Sequence, residues 1–395
     1  MRKEKHTRRS FLQVSGLALA GLPFALPAGA SSAASKKAKT FMAYTGTYAK
    51  AGADSLYGIR VNALTGALSH VFSVKGMPNA SYLALDAQRR YLYAVNETGD
   101  FQGAKSGAVS AYAINRKTGD LTFLNQQPSL GGYPCYVSLD KTNKVVLVAN
   151  YMGGNVATFP VQADGTLGPA ADMVQHTGKG VLKNQAAPHA HGILADPDNR
   201  YCLAVDLGID KILKYQLEAG TGKLTPFEAP AFVTRPGAGP RMLTFHPNNR
   251  YAYLICELSA TMYALAYQAQ EGTFRELQQI ATVPGDFTGK NACAHVEVSP
   301  DGRFLYGSNR GHNSIVVYAI DAGSGKLTLV QHADTQGDTP KNFVIAPAGN
   351  ILLAANQKSN TIVSFYIDKK TGKLSPTGHT IAVPVPIFLR IAPVF

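Results

Sequence analysis

Six pairs of residues, each fifteen positions apart, recur at equivalent places along the chain. They are Ser81 with Asn96, Cys135 with Asn150, His191 with Asp206, Arg241 with Cys256, Ala294 with Asn309, and Lys341 with Asn356. Directly after the second members come Glu97, Tyr151, Leu207, Glu257, Arg310 and Gln357. Gathered in one place, His191, Arg241, Arg310, Lys341, Glu257, Glu97 and Asp206 suit the addition of water to a polarised carbonyl. His191 can deprotonate a water near neutral pH, with Glu257 to orient or assist it. Arg241 and Arg310 can hold the developing oxyanion or clamp an anionic group with paired hydrogen bonds, and Lys341 adds a point charge. Asp206, Glu97, Asn309 and Gln357 are candidate substrate contacts, as is His189, which faces the same way as His191 on a strand. Taken singly, each has a plainer reading: Asp206 or Asn309 can bond a neighbouring strand, and a lone histidine more often satisfies structure than catalyses. As a convergent set they favour a ligand site. No three-His or HExxH pattern and no glycine-rich phosphate loop is present, so neither metal nor cofactor is expected. Cys135 stands in the same ring, but no His–Cys pairing is deducible, and burial is the expectation.

The spacing comes from a repeat. "SPDGRFLYGSNRG" (299–311) has relatives in "LDAQRRYLYAVNE" (85–97), "LDKTNKVVLVANY" (139–151), "ADPDNRYCLAVDL" (195–207), "FHPNNRYAYLICE" (245–257) and "IAPAGNILLAANQ" (345–357). Each is a polar turn followed by a β-rich run that ends in or beside Asn, Asp or Glu. A Gly-x-Leu-like turn follows each copy, and one more precedes them all. The marker glycines are Gly66, Gly119, Gly165, Gly222, Gly272, Gly325 and Gly372, a period near fifty residues. About four strands per period predicts an all-β, seven-bladed β-propeller. The first blade lacks its innermost strand, and "PVPIFLRIAPVF" at the C-terminus resembles the missing piece. That strand is expected to complete blade one and close the ring, leaving no free edge. In a propeller the start of the innermost strand and the end of the next lie at one channel mouth, and the fifteen-residue pairs mark that mouth. A pair of β-sandwiches would not explain seven similar markers.

Composition sets the outer bounds. The chain has 395 residues, 45% of them apolar, with 38 Gly and 22 Pro spread along its length. The first thirty residues read as an export leader, not as part of the fold: "TRRSFL" (7–12), a mild apolar run from Val14 to Leu26, and Ala28-Gly29-Ala30 as a cleavage site. This is a twin-arginine signal pattern, which implies the matching export machinery as a partner and a periplasmic or secreted destination. The run is short and carries Pro23 and Pro27, so no stable membrane insertion is expected after cleavage. A polar leader over 31–40 precedes the propeller at 41–395. Arg2, Lys3, Lys5, Arg8 and Arg9 against Glu4 account for four of the thirteen formal positive charges. The remaining basic surface has no stripe or module for nucleic acid and fits a small anionic or lactone ligand. Cys135, Cys202, Cys256 and Cys293 show no CxxC spacing and are expected as buried free thiols. A closed propeller without an exposed amphipathic helix is most simply a monomer.

Several segments carry a family resemblance. "GAGPRMLTFHPNNRYAYLICEL" (237–258), "SPDGRFLYGSNRG" (299–311), "TPKNFVIAPAGNILLAANQKSNTIVSFYI" (339–367), "TGTYAK" and "PHAHGILADPDNRYCLAVDLGIDKI" (188–212) resemble the β-propeller lactonases. That family includes propeller-type 6-phosphogluconolactonases and carboxymuconate cyclases, and the resemblance spans residues 41–395. It implies a catalytic set of His191, Arg241, Glu257 and Arg310. This chain departs from the family pattern in having Lys341 where an arginine is usual. His295 and Glu297 stand in the reverse of the usual order, and Cys256 replaces an Asn. The resulting expectation is an exported carboxylic-ester hydrolase opening a sugar lactone, either 6-phosphogluconolactone-like or an unphosphorylated aldonolactone. The alternatives are a muconate-type cycloisomerase and a non-catalytic propeller that binds an anionic ligand.

Overall fold

The computed structural model describes residues 40–393. The signal reading over 1–30 and the polar leader up to residue 39 lie outside the described residues. Seven antiparallel sheets follow one another along the chain. Six are built from consecutive strands. The first combines the C-terminal strand Pro386–Pro393 with Thr40–Thr47, Asp54–Asn62 and Leu68–Lys75. The innermost strands of the other blades are Ala80–Leu85, Pro134–Leu139, Ala190–Ala195, Pro240–Phe245, Ala292–Val298 and Pro340–Ile345. Each packs against the innermost strand of the next blade, and the seventh packs against Pro386–Pro393, so the ring closes as expected.

The core lies between blades. Seven clusters of buried side chains each draw on the facing sides of two adjacent blades, such as Leu203, Val205 and Ile212 against Leu243, Leu254 and Tyr263. Both faces of the second and third strands are therefore buried, which is why these strands read as nearly continuous apolar runs.

The marker glycines tie the blades together. All seven have φ between 62° and 86°, the left-handed region a turn of this kind requires. At six of the seven junctions a hydroxyl from one blade donates to a marker glycine carbonyl in the next. The donors are Tyr44, Tyr93, Thr158, Tyr253, Tyr306 and Ser364, and the bonds run from 2.6 to 3.1 Å. These hydroxyls are buried, and the bond satisfies them there.

One irregularity repeats in every blade and shapes the site. Each innermost strand is bulged near its start, so the register skips Ser81, Cys135, His191, Arg241 and Lys341 in five blades. In the sixth blade it skips Ala294 and His295, and in the first it skips Ile387. A bulge leaves a residue unpaired and re-aims its side chain. Here it turns one side chain per blade towards the central channel.

Candidate active site

The bulged residues meet in one cavity of about 170 Å³ at the channel mouth. Ser81, Cys135, His191, Arg241, His295, Lys341 and Ile387 line it, joined by Glu97, Tyr151, Glu257 and Arg310 from the ends of second strands. Tyr82, Met242 and Phe388 form its inner end. Tyr82 packs between Phe388 and Tyr136 at ring-centre distances of 3.8 and 4.3 Å, so aromatic rings plug the channel beneath the cavity.

Glu257 is the electrostatic centre. Its Oε2 accepts from Arg241 Nε and from Arg310 Nη2, both at 2.8 Å. Burial alone would raise the pKa of this carboxyl, but Arg310 and Arg241 outweigh burial and hold it below the usual carboxylate range. The guanidiniums are anchored in turn by backbone: Arg241 donates to the Ala294 carbonyl, and Arg310 to the carbonyls of Ala292 and Cys293 at 3.1 Å each. Glu257 and these backbone carbonyls thus hold both guanidiniums in the cavity wall.

His191 is 7% exposed, and its Nδ1 lies 3.7 Å from Cys135 Sγ. Burial, followed by Arg241, Lys341 and Arg310, keeps its pKa well below the ordinary imidazole range, so the ring is neutral at pH 7. Burial and then Glu97 push the Cys135 thiol far up, against the smaller pull of Arg241 and Lys341. The His–Cys contact not deducible from sequence is therefore present, between two neutral groups. Glu257, expected to assist His191, bonds the two arginines instead. Tyr151 packs its ring edge-on to His191 at 5.6 Å and stacks on His189 at 4.5 Å.

On the blade after that of Arg310, Lys341 Nζ donates to Tyr48 Oη at 2.8 Å, and Tyr48 donates to the Glu97 carboxylate at 2.9 Å. Burial lowers Lys341 to about 8, with Glu97 opposing the shift and Arg310 and Arg241 adding to it. Tyr48 is a participant that the fifteen-residue pairing misses, because blade one receives its innermost strand from the far end of the chain. Aligning "YTGTY" (44–48) with "YAVNE" (93–97) would find it, since Tyr48 then falls on Glu97.

Four expected contacts do not reach the cavity. Asp206 is fully buried; its Oδ1 accepts the His189 and Gly208 amides, and its Oδ2 lies 2.6 Å from His176 Nδ1. Asn309 is also fully buried and donates to the Thr282 carbonyl. The cause is the bulge. Asp206 pairs with Ala190, not His191, and Asn309 pairs with Cys293, not Ala294. A one-residue offset sends the side chain to the other face. Asn96, Asn150 and Asn356 do the same as Asn309, each donating to a loop carbonyl before its innermost strand. Gln357 does not line the cavity, although its amide repeats the bond made by Glu97 and Glu257, here to the Thr339 carbonyl. His189 bonds the Tyr151 carbonyl at 3.0 Å and lies outside the wall. Glu97 and Lys341 do line it. All four cysteines are buried and unpaired.

Residues 42–391 match the family described as "Lactonase, 7-bladed beta-propeller". The chain belongs to that family. It is thus a lactone-hydrolysing carboxylic-ester hydrolase. It is similar to a 6-phosphogluconolactonase of Bacillus subtilis, at 41% identity over 77% of this chain and 84% of the relative. It is also similar to a 6-phosphogluconolactonase of Formosa agariphila, at 35% over 72% and 80%. Among solved structures, a periplasmic gluconolactonase of Pseudomonas aeruginosa superposes with a TM-score of 0.85 at 32% identity, covering 90% of this chain and 99% of that one. These relatives place sugar-lactone hydrolysis within the family's range and differ over whether the sugar carries phosphate.

Proposed function

We propose that the lactonase acts outside the cytoplasm on an unphosphorylated aldono-1,5-lactone. The reading rests above all on Glu257 clamped between two arginines beside a neutral His191 in one cavity. Neutral His191 takes a proton from water as the water adds to the lactone carbonyl. Arg241 and Arg310, already fixed in place, stabilise the oxyanion that forms. Cys135 stays protonated and serves as packing beside the base.

The charge inventory favours a neutral substrate. Three cationic side chains face two carboxylates, a small net charge with which to attract a phosphate dianion. The Nε of each arginine is already spent, on Glu257 for Arg241 and on the Ala292 carbonyl for Arg310. The carboxylates of Glu257 and Glu97 suit the hydroxyls of an unmodified sugar, which can donate to them. The twin-arginine pattern at 7–12 and the likeness to a periplasmic gluconolactonase support the same compartment and substrate class.

The test is acid release from gluconolactone and 6-phosphogluconolactone side by side, with spontaneous hydrolysis subtracted. The expected result is a higher kcat/KM for gluconolactone. A clear preference for the phosphorylated lactone would overturn the substrate reading, and no acceleration of either would overturn the hydrolytic one.

A further inference from the structure

The arginines account for the oxyanion and His191 for the water, but lactone opening also needs a proton for the departing ring oxygen. We propose that Lys341 is the general acid that supplies it, a proposal that rests on the lactone-hydrolysis reading above. Lys341 lies in the cavity wall one blade on from Arg310, on the bulge of its own innermost strand. One of its three N–H bonds is committed to Tyr48 Oη at 2.8 Å, which leaves protons for a ligand. Its ammonium sits over the Tyr48 ring at 4.7 Å, and Tyr48 is bonded in turn to Glu97. An ammonium held in this way is oriented as a donor and not as a free surface charge. An arginine in this place could not do the same work, since a guanidinium does not give up its proton in proteins.

The step balances. Water adds to the carbonyl carbon and passes one proton to His191. When the tetrahedral intermediate collapses, the bond from that carbon to the ring oxygen breaks, and its electron pair goes to the oxygen. That oxygen takes a proton from Lys341 Nζ, which becomes an amine. The proton on His191 then restores Lys341 through cavity water, and the new carboxylic acid releases its own proton to solvent.

The groups facing Lys341 are Glu97, Tyr48, Arg310, Arg241 and Glu257. Burial brings Lys341 down to about 8. His191 lies well below neutrality, Tyr48 and Cys135 are pushed far up, and Tyr151 is pushed up to about 12. An acid must be protonated to act, so the rate is expected to fall above about pH 8.

The experiment is the pH profile of gluconolactone hydrolysis by the purified chain and by Lys341→Arg, Glu97→Gln and Tyr48→Phe, with the blank subtracted at each pH. Lys341→Arg keeps the charge but cannot donate. It is expected to lower kcat about 100-fold, to leave KM nearly unchanged, and to lose the alkaline limb. Glu97→Gln removes the opposing charge and should move the limb about one pH unit lower. Tyr48→Phe removes an acceptor of the ammonium and should move it in the same direction. Near-normal kcat in Lys341→Arg, or a limb unmoved in both Glu97→Gln and Tyr48→Phe, would overturn the proposal. The latter pair also decides the matter if Lys341→Arg does not fold. A flat profile with no acceleration by the wild-type chain would instead overturn the lactonase reading itself.

Discussion

At the scale of residues, the site works through opposed pKa shifts in one small cavity. The cations that hold Glu257 ionised also join with burial to keep His191 neutral. A base acts only when unprotonated, and lowering its pKa extends its working range towards acid. The acid limb of kcat/KM is therefore expected below pH 6.5, the ordinary imidazole value, and a limb above it would contradict the assignment. Arg310→Lys keeps a charge but loses the planar fork, and kcat is expected to fall about 100-fold, as when one preorganised oxyanion donor is removed. Most of the cavity's charged residues were legible because equivalent positions in a repeat converge at one mouth. His191, Arg241, Lys341, Glu257, Arg310 and Glu97 all follow from that geometry. The fifteen-residue rule failed for Asp206 and Asn309 because it counts along flat strands, and the bulge shifts the register by one.

At the scale of elements, four of the seven blades carry two side-chain attachments, and the other three carry one of them. An Asn or Asp at the end of the second strand holds the loop that enters the innermost strand, as Asn150 does on the Ser129 carbonyl. A hydroxyl further back on the same strand or the next reaches the marker glycine of the next blade. Asp206 is the fullest case, with two amides and His176 as partners. Asp206→Ala is expected to cost about 3 kcal/mol of stability, read as a lower midpoint of thermal or denaturant unfolding. Tyr306→Phe removes only the bond to the Gly372 carbonyl and should cost about 1 kcal/mol in the same assay. The markers were visible in sequence because a turn with positive φ demands glycine. The bulges were not, because a bulge leaves no composition of its own: Ser, Cys, His, Arg, Lys and Ile all occupy it.

For the whole molecule, closure is the decisive feature. Pro386–Pro393 pairs with Thr40–Thr47 and brings Ile387 and Phe388 to the cavity from the far end of the chain. Removing residues 386–395 would expose an unpaired edge on the first blade and open the ring. Such a truncation is expected to lose cooperative unfolding and lactone hydrolysis together. The seven-fold period made this architecture readable in sequence, down to the strand that closes it. What the period does not encode is which neighbours bond within the cavity. Glu257 could have faced His191 or the arginines on spacing alone, and only the packed geometry assigns it to the arginines.

The most direct test of the account is the rate of gluconolactone hydrolysis by the wild-type chain and by His191→Ala, measured at saturating substrate. If His191 is the base, kcat is expected to fall by about 100-fold or more while the folded ring is retained. A His191→Ala chain that hydrolyses the lactone at close to the wild-type rate would contradict the account, whatever the fold and the family have in common.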